Sequence, residues 1–178
     1  MTDALLRRLE EMLGPGTVLA GEAAAWASSE SHPRAVVCPA SDEEVGEVLV
    51  RASREGWTVV PAGAGRWLTG GNPVDADVVL STQRMDRVTE YEPADLTLTA
   101  GAGTRLDTIR EATGAHGQWL ALDPPGGGPG SLGALVATGG AGPLRLAFGT
   151  PRDHVLGLTL VAGDGRILRL GGRVVKNV

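Results

Sequence analysis

The 178-residue sequence almost lacks lysine: of its 16 basic residues, all but Lys176 are arginines. No function follows from that, but the distribution of charge does exclude one. The basic residues are scattered and outnumbered by 21 acidic ones, for a formal net charge of -5, so no basic footprint for nucleic acid is present. The single cysteine, Cys38, rules out an internal disulfide and reads as a small buried side chain within Ala35–Cys38. No apolar run approaches the roughly twenty residues of a membrane span. The charged, amphipathic start, Met1 to Glu11, is unlike a signal peptide, and the expected location is the cytoplasm. The three histidines, His32, His116 and His154, lie in separate segments. No His, Cys or carboxylate cluster has ligand spacing, so no metal is expected, and no catalytic base can be named. A chain of this length suits one domain, or two small lobes sharing an interface.

Glycine is what the chain has in excess: 27 residues, about twice the usual share of roughly 7 %. These cluster at 63–71, 126–142 and 163–172, interleaved with apolar runs. The interleaving argues against disorder and for backbone that must approach something closely.

Leu5, Leu6, Leu9, Met12 and Leu13 recur at helical spacing up to Gly14-Pro15-Gly16, which predicts a helix over 3–13. Ala35–Cys38 reads as a buried strand. Ser41 and Glu44 form a capping-box pair ahead of Val45, Val48, Leu49 and Ala52, predicting a helix that ends near Gly56. Thr58–Val60 follows as a strand, so strand, helix and strand imply a parallel crossover pair. Val78–Leu80 is a third strand, and Leu96–Ala100 alternates as a half-buried one; Thr104 is expected to cap a helix carrying Leu106, Ile109 and Ala112. Val155–Ala162 and Arg166–Leu170 flank Gly163-Asp164-Gly165, the pattern of an antiparallel hairpin.

Three stretches carry chemistry. Pro61-Ala62-Gly63-Ala64-Gly65-Arg66-Trp67-Leu68-Thr69-Gly70-Gly71 follows a strand. Successive N–H groups in such a loop form a concave nest for phosphate oxygens, and Arg66 adds a cation; an ordinary surface loop is the competing reading. The spacing matches neither a Walker loop nor G-x-G-x-x-G. In Asp123–Gly142, two glycine-dense loops flank a small apolar segment, which suits either backbone contact with a flat, polar-edged ligand or a flexible crossover. Phe148–Val155 reads as a turn leading into a strand, where Arg152 and Asp153 would make at most a weak surface ion pair.

Taken together and in order, P-x-G-x-G…G-G, D-P-P…S-L-G-A-L-V-A-T-G-G-A-G, F-G-T-P-R-D-H-V-L-G and G-G-R-V-V-K-N-V resemble the FAD-binding domain of the vanillyl-alcohol-oxidase (PCMH-type) flavoproteins. Within that superfamily the chain is most similar to the FAD-binding subunits E of glycolate oxidases, from about Val36 to the last residue. The resemblance implies that Ala62, Gly63, Ala64, Gly65, Arg66 and Trp67, with Gly70 and Gly71, hold the FAD pyrophosphate. It implies that Pro124, Ser131 and Gly133, with Thr138, Gly140 and Gly142, line the flavin and ribityl chain, and that Asp153 and Val155 lie near the adenine. Covalent members carry a histidine where Arg66 stands, so FAD is expected to be non-covalent. The family continues past its R-V-V-K-N-V with a further flavin contact and a cap domain, so the domain is expected to be incomplete at its C-terminus.

The resulting expectation is one α+β FAD-binding domain over 1–178, with lobes 1–90 and 91–178. The first should hold a small parallel-containing sheet, the second a larger mainly antiparallel sheet with flanking helices, and FAD should lie in the groove. Its implied role is in a 2-hydroxy-acid oxidase or dehydrogenase, with a small hydroxy acid as substrate and with a catalytic FAD subunit and an iron–sulfur subunit as partners. The alternatives are a non-catalytic assembly subunit with a degenerate FAD groove and, less supported, a reductase of the related cell-wall-precursor type.

Overall fold

The structure is a computed structural model that describes residues 4–19, 33–65, 68, 72, 74–125 and 130–172. The chain divides into two compact units, Met1–Arg84 with Gly157–Val178, and Met85–Leu156. No helix among the described residues is long and apolar enough to cross a membrane.

The first unit is built on three parallel strands in the order β1-β3-β2, where β1 is Ala35–Val37, β2 is Val59–Ala62 and β3 is Val78–Ser81. The expected crossover pair is thus not a pair of neighbours: β3 lies between β1 and β2 and is hydrogen-bonded to both. β3 takes the centre because all four of its residues are apolar or small and buried, as a strand covered on both faces requires. Alternate side chains go to opposite faces. Ala35, Val37, Val78 and Leu80 pack with Leu5 and Leu9 of α1 (Ala4–Leu13) and Val48 of α2 (Asp42–Glu55). Val36, Cys38 and Val79 form a second buried cluster on the other face, which accounts for the uninterrupted apolar runs.

α2 begins as the sequence predicts, with Ser41 Oγ accepting from the Glu44 N–H at 3.2 Å. Glu44 reaches one residue further back than a capping box requires and accepts from Ala40 N–H at 2.8 Å. Gly56, at φ 71°, closes the helix.

At the N-terminal ends of the strands, one carboxylate joins all three. Asp77 Oδ2 accepts from the Thr58 N–H at 2.9 Å and the Thr58 hydroxyl at 3.0 Å, and Oδ1 accepts from Arg34 at 3.4 Å. The Thr58 N–H, foremost, then the Thr58 hydroxyl and Arg34 hold the Asp77 pKa below the ordinary carboxylate value.

The predicted hairpin is present as β6 (Gly157–Val161) and β7 (Ile167–Gly171). Ala162 N–H donates to Arg166, Gly165 N–H donates to Ala162, and Gly165 takes φ 85°, the left-handed position of such a loop. Where the sequence reading places this hairpin in a lobe 91–178, the structure groups it with the first unit. The reason is close docking on α2: a Cβ on Gly46 would stand 2.9 Å from the Gly165 carbonyl oxygen.

The second unit holds an antiparallel pair, β4 (Val88–Glu92) and β5 (Thr97–Ala100), then α3 (Leu106–Gly114), α4 (Leu132–Thr138), α5 (Arg145–Phe148) and α6 (Pro151–His154). The antiparallel strands described are therefore two separate two-stranded sheets, one per unit. Leu96, expected to open β5, instead takes φ 57° in the turn before it. Thr104 does not cap α3, whose N-cap is Arg105; its buried hydroxyl donates to the Arg87 carbonyl at 3.2 Å.

Candidate functional site

The first glycine loop leaves the C-terminal end of β2, the sheet edge opposite Asp77. Its carbonyl groups face the end of β3: Thr82 N–H donates to the Ala62 carbonyl at 2.9 Å, and Ser81 Oγ to that of Gly63 at 3.2 Å. The neighbouring loop is tied in as well, since Gln83 Nε2 donates to Cys38 Sγ at 3.1 Å and Arg84 to the Cys38 carbonyl at 3.0 Å. Cys38 is buried, as expected.

With the carbonyls so engaged, the N–H groups of Gly63, Ala64 and Gly65 donate to no partner among the described residues. Gly65 holds φ 77°, a left-handed conformation that suits glycine. Successive backbone N–H groups beside a left-handed residue are the donors that an anion nest uses. Of the residues expected here, Ala62, Gly63, Ala64 and Gly65 are adjacent at this edge; Arg66, Trp67, Gly70 and Gly71 lie outside the described residues.

The second glycine-rich stretch lies in the other unit. Ser131 is the buried N-cap of α4, and Gly133 is in its first turn. All four first-turn donors are already engaged. Leu132 and Gly133 N–H groups each donate at 2.8 Å, to the Thr104 and Ala102 carbonyls, Ala134 N–H to Ser131 Oγ at 3.4 Å and Leu135 N–H to the Ser131 carbonyl at 3.0 Å. The amides at this helix start therefore hold the chain's own backbone rather than facing a ligand. Gly133 is glycine for the same reason, because a Cβ there would lie 2.7 Å from that of Ala102.

The loop after α4 is different. Thr138 Oγ1 donates back to the Ala134 carbonyl at 2.8 Å and Gly139 turns the chain at φ 62°. The Gly140 N–H makes only a long contact to Thr138 Oγ1 at 3.4 Å, and those of Ala141 and Gly142 donate to no partner among the described residues. Asp123, directly before Pro124, sits under this loop: its Oδ2 accepts from the Leu144 N–H at 3.1 Å, and a Cβ on Gly142 would lie 2.7 Å from its Cγ. The sequence reading assigned Asp123 no role. A signal was available, because Asp123 is the only Asp, Glu, Lys or Arg between Glu111 and Arg145.

Phe148–Val155 is not a turn into a strand but the end of α5 followed by α6. Asp153 makes no ion pair with Arg152. Its Oδ2 accepts from the Thr150 N–H and hydroxyl, both at 2.7 Å, and those bonds, the N–H foremost, lower its pKa. Val155 closes α6, and His154 Nε2 is buried without a hydrogen-bond partner among the described residues. The carboxylates with shifted pKa, Glu43, Asp77, Asp153 and Asp164, are all shifted downward by hydrogen-bond donors. None has the raised pKa that suits a general base. Among the described residues no group of three His, Cys, Asp or Glu side chains could hold a metal ion.

Comparison with known proteins adds a family and a fold. The sequence profile described as "FAD binding domain" matches residues 33–171. The chain is 36% identical over 144 residues to a D-lactate dehydrogenase of Archaeoglobus fulgidus, covering 80% of this chain and 32% of that protein. It is 45% identical over 92 residues to the glycolate oxidase subunit GlcE of Escherichia coli, covering 51% of this chain and 26% of that one. A solved structure of alkyldihydroxyacetonephosphate synthase matches 96% of this chain and 38% of its own, with a TM-score of 0.80 at 20% identity. The chain thus spans about a third of the length of the first curated relatives it matches.

Proposed function

The chain belongs to the FAD binding domain family, and from that premise we propose that it is the FAD-binding portion of an oxidoreductase acting on 2-hydroxy acids of the glycolate type. The α+β, PCMH-type fold expected from the sequence is borne out by its structural neighbours, and FAD is the cofactor of the family. The observation that carries the proposal is the row of N–H groups at Gly63, Ala64 and Gly65, which donate to no partner among the described residues. Donors without a protein partner suit the anionic pyrophosphate of a dinucleotide.

In this reading Ala62–Gly65, with Arg66, Trp67, Gly70 and Gly71, hold the pyrophosphate. Pro124, Thr138, Gly140 and Gly142 line the flavin; Ser131 and Gly133 act from behind, through the packing that fixes α4. Asp153 and Val155 serve the adenine end, with the Asp153 carboxylate already committed to Thr150. Binding is non-covalent in this reading, since Arg66 stands where the covalent members of the resembled family carry a histidine. Bound there, FAD would supply the two-electron acceptor for oxidation of a C–OH group. This chain's own residues bind and orient, while the base and the carboxylate-binding cations come from residues beyond those described or from partner subunits. The proposed setting is the cytoplasm, with a catalytic FAD subunit and an iron–sulfur subunit as partners.

The test is to load the chain with FAD, alone and co-expressed with such partners, and to add glycolate or D-lactate without oxygen. Bleaching of the flavin band is expected. Bound flavin that no 2-hydroxy acid bleaches in either preparation would contradict the proposal. A colourless chain tightly associated with an FAD-bearing subunit would instead favour an assembly role.

A further inference from the structure

We propose that Asp123 is the positioning residue of the loop 139–142: its carboxylate, clamped between the Leu144 N–H and the bare Cα of Gly142, sets where the free N–H groups of Ala141 and Gly142 point. The inference deepens the FAD reading above and rests on it. Three observations carry it. Asp123 Oδ2 accepts from the Leu144 N–H at 3.1 Å, just beyond the loop. Gly142 is buried, and a Cβ there would stand closest to the Asp123 carbonyl oxygen, 2.5 Å from its Oδ2 and 2.7 Å from its Cγ, so backbone and carboxylate of Asp123 together fill that space. The loop's start is held separately, by Thr138 Oγ1 on the Ala134 carbonyl, while the Arg145 guanidinium donates to the Ala141 carbonyl at 2.8 Å and so helps Asp123 fix the peptide group that carries the Gly142 N–H.

Any side chain at Gly142 would therefore displace Asp123, its backbone as well as its carboxylate. A carboxylate accepting from a backbone N–H makes a stronger bond than a neutral acceptor. An acceptor oxygen at this position is what the clamp needs, so the amide of asparagine supplies part of it and a methyl group none.

The experiment compares the unmodified chain with Asp123→Asn and Asp123→Ala in three readouts. These are FAD affinity by quenching of flavin fluorescence, ADP affinity by calorimetry, and amide hydrogen exchange across 139–148. Asp123→Ala is expected to weaken FAD by roughly tenfold or more, the loss of one charge-assisted hydrogen bond. It should leave ADP, which the loop 62–65 would hold, unchanged and speed exchange at Leu144 and its neighbours. Asp123→Asn should recover most of the FAD affinity. Equal loss of FAD and ADP would mean a structural role only and would overturn the proposal, as would unchanged exchange at 139–148. If the unmodified chain binds no FAD, the functional reading fails, whereas unchanged FAD affinity in Asp123→Ala defeats the positioning role alone.

Discussion

Asp77 shows how much one side chain can do at a sheet end. The residues flanking β1, β2 and β3 at their N-terminal ends meet on its carboxylate and carbonyl, since Arg34 N–H also donates to the Asp77 carbonyl at 2.8 Å. Its folded pKa is lowered, so its contribution to stability is fully present above the unfolded value of about 3.9 and is lost as pH falls through the lower folded value. The side chain is 29% exposed, which places its loss at the low end for hydrogen bonds to a charged group, about 1.5 kcal/mol at neutral pH. Urea melts of Asp77→Ala and the unmodified chain should differ by that amount at pH 7 and converge as the pH falls below the ordinary aspartate value of about 3.9 and through the lower folded one. A difference that persists unchanged into acid would show that the carboxylate's charge is not what matters. Residue roles of this kind were the least legible in the sequence. Thr104 reads as a helix cap but its hydroxyl is drawn to Arg87, and His154 reads as strand although Thr150-Pro151 with Asp153 three residues after Thr150 is a helix-start signature.

At the scale of elements, legibility followed apolar runs and the signals of caps and turns. α2 could be read from Ser41 and Glu44, β1 and β3 from uninterrupted apolar runs, and the β6–β7 hairpin from its Gly-Asp-Gly turn. β4 passed unnoticed because Val88–Glu92 is polar, with no residue fully buried, and its strand character depends on pairing with β5. Leu96 hid the start of β5 by taking a left-handed turn position where glycine is usual. The docking of the hairpin on α2 gives a prediction at this scale. Gly46→Ala places a methyl 2.9 Å from a backbone carbonyl oxygen that no side-chain rotation can move, so it should destabilise the chain by about 1–3 kcal/mol despite the higher helix propensity of alanine. Thermal unfolding measures it, and a variant as stable as the parent would show that the hairpin does not dock on α2 in this way.

Over the whole molecule, the limit was non-local. The chain leaves its first unit after Arg84 and returns at Gly157, and nothing in local pattern marks a return over that distance, which is why a single cut near residue 90 was expected. The candidate site was legible as motifs, not as mechanisms. In the first glycine loop the N–H groups of Gly63, Ala64 and Gly65 have no partner among the described residues, whereas in the second stretch Gly133, Gly142 and the first-turn amides of α4 serve the chain's own packing around Ala102, Thr104 and Asp123.

The proposal that this chain holds FAD non-covalently can be checked by the visible absorption spectrum of the purified protein after incubation with FAD and desalting. A retained flavin band is expected, stoichiometric with the chain and released when the protein is denatured. A colourless protein after desalting would contradict binding, and a flavin that stays attached after denaturation would contradict the non-covalent hold.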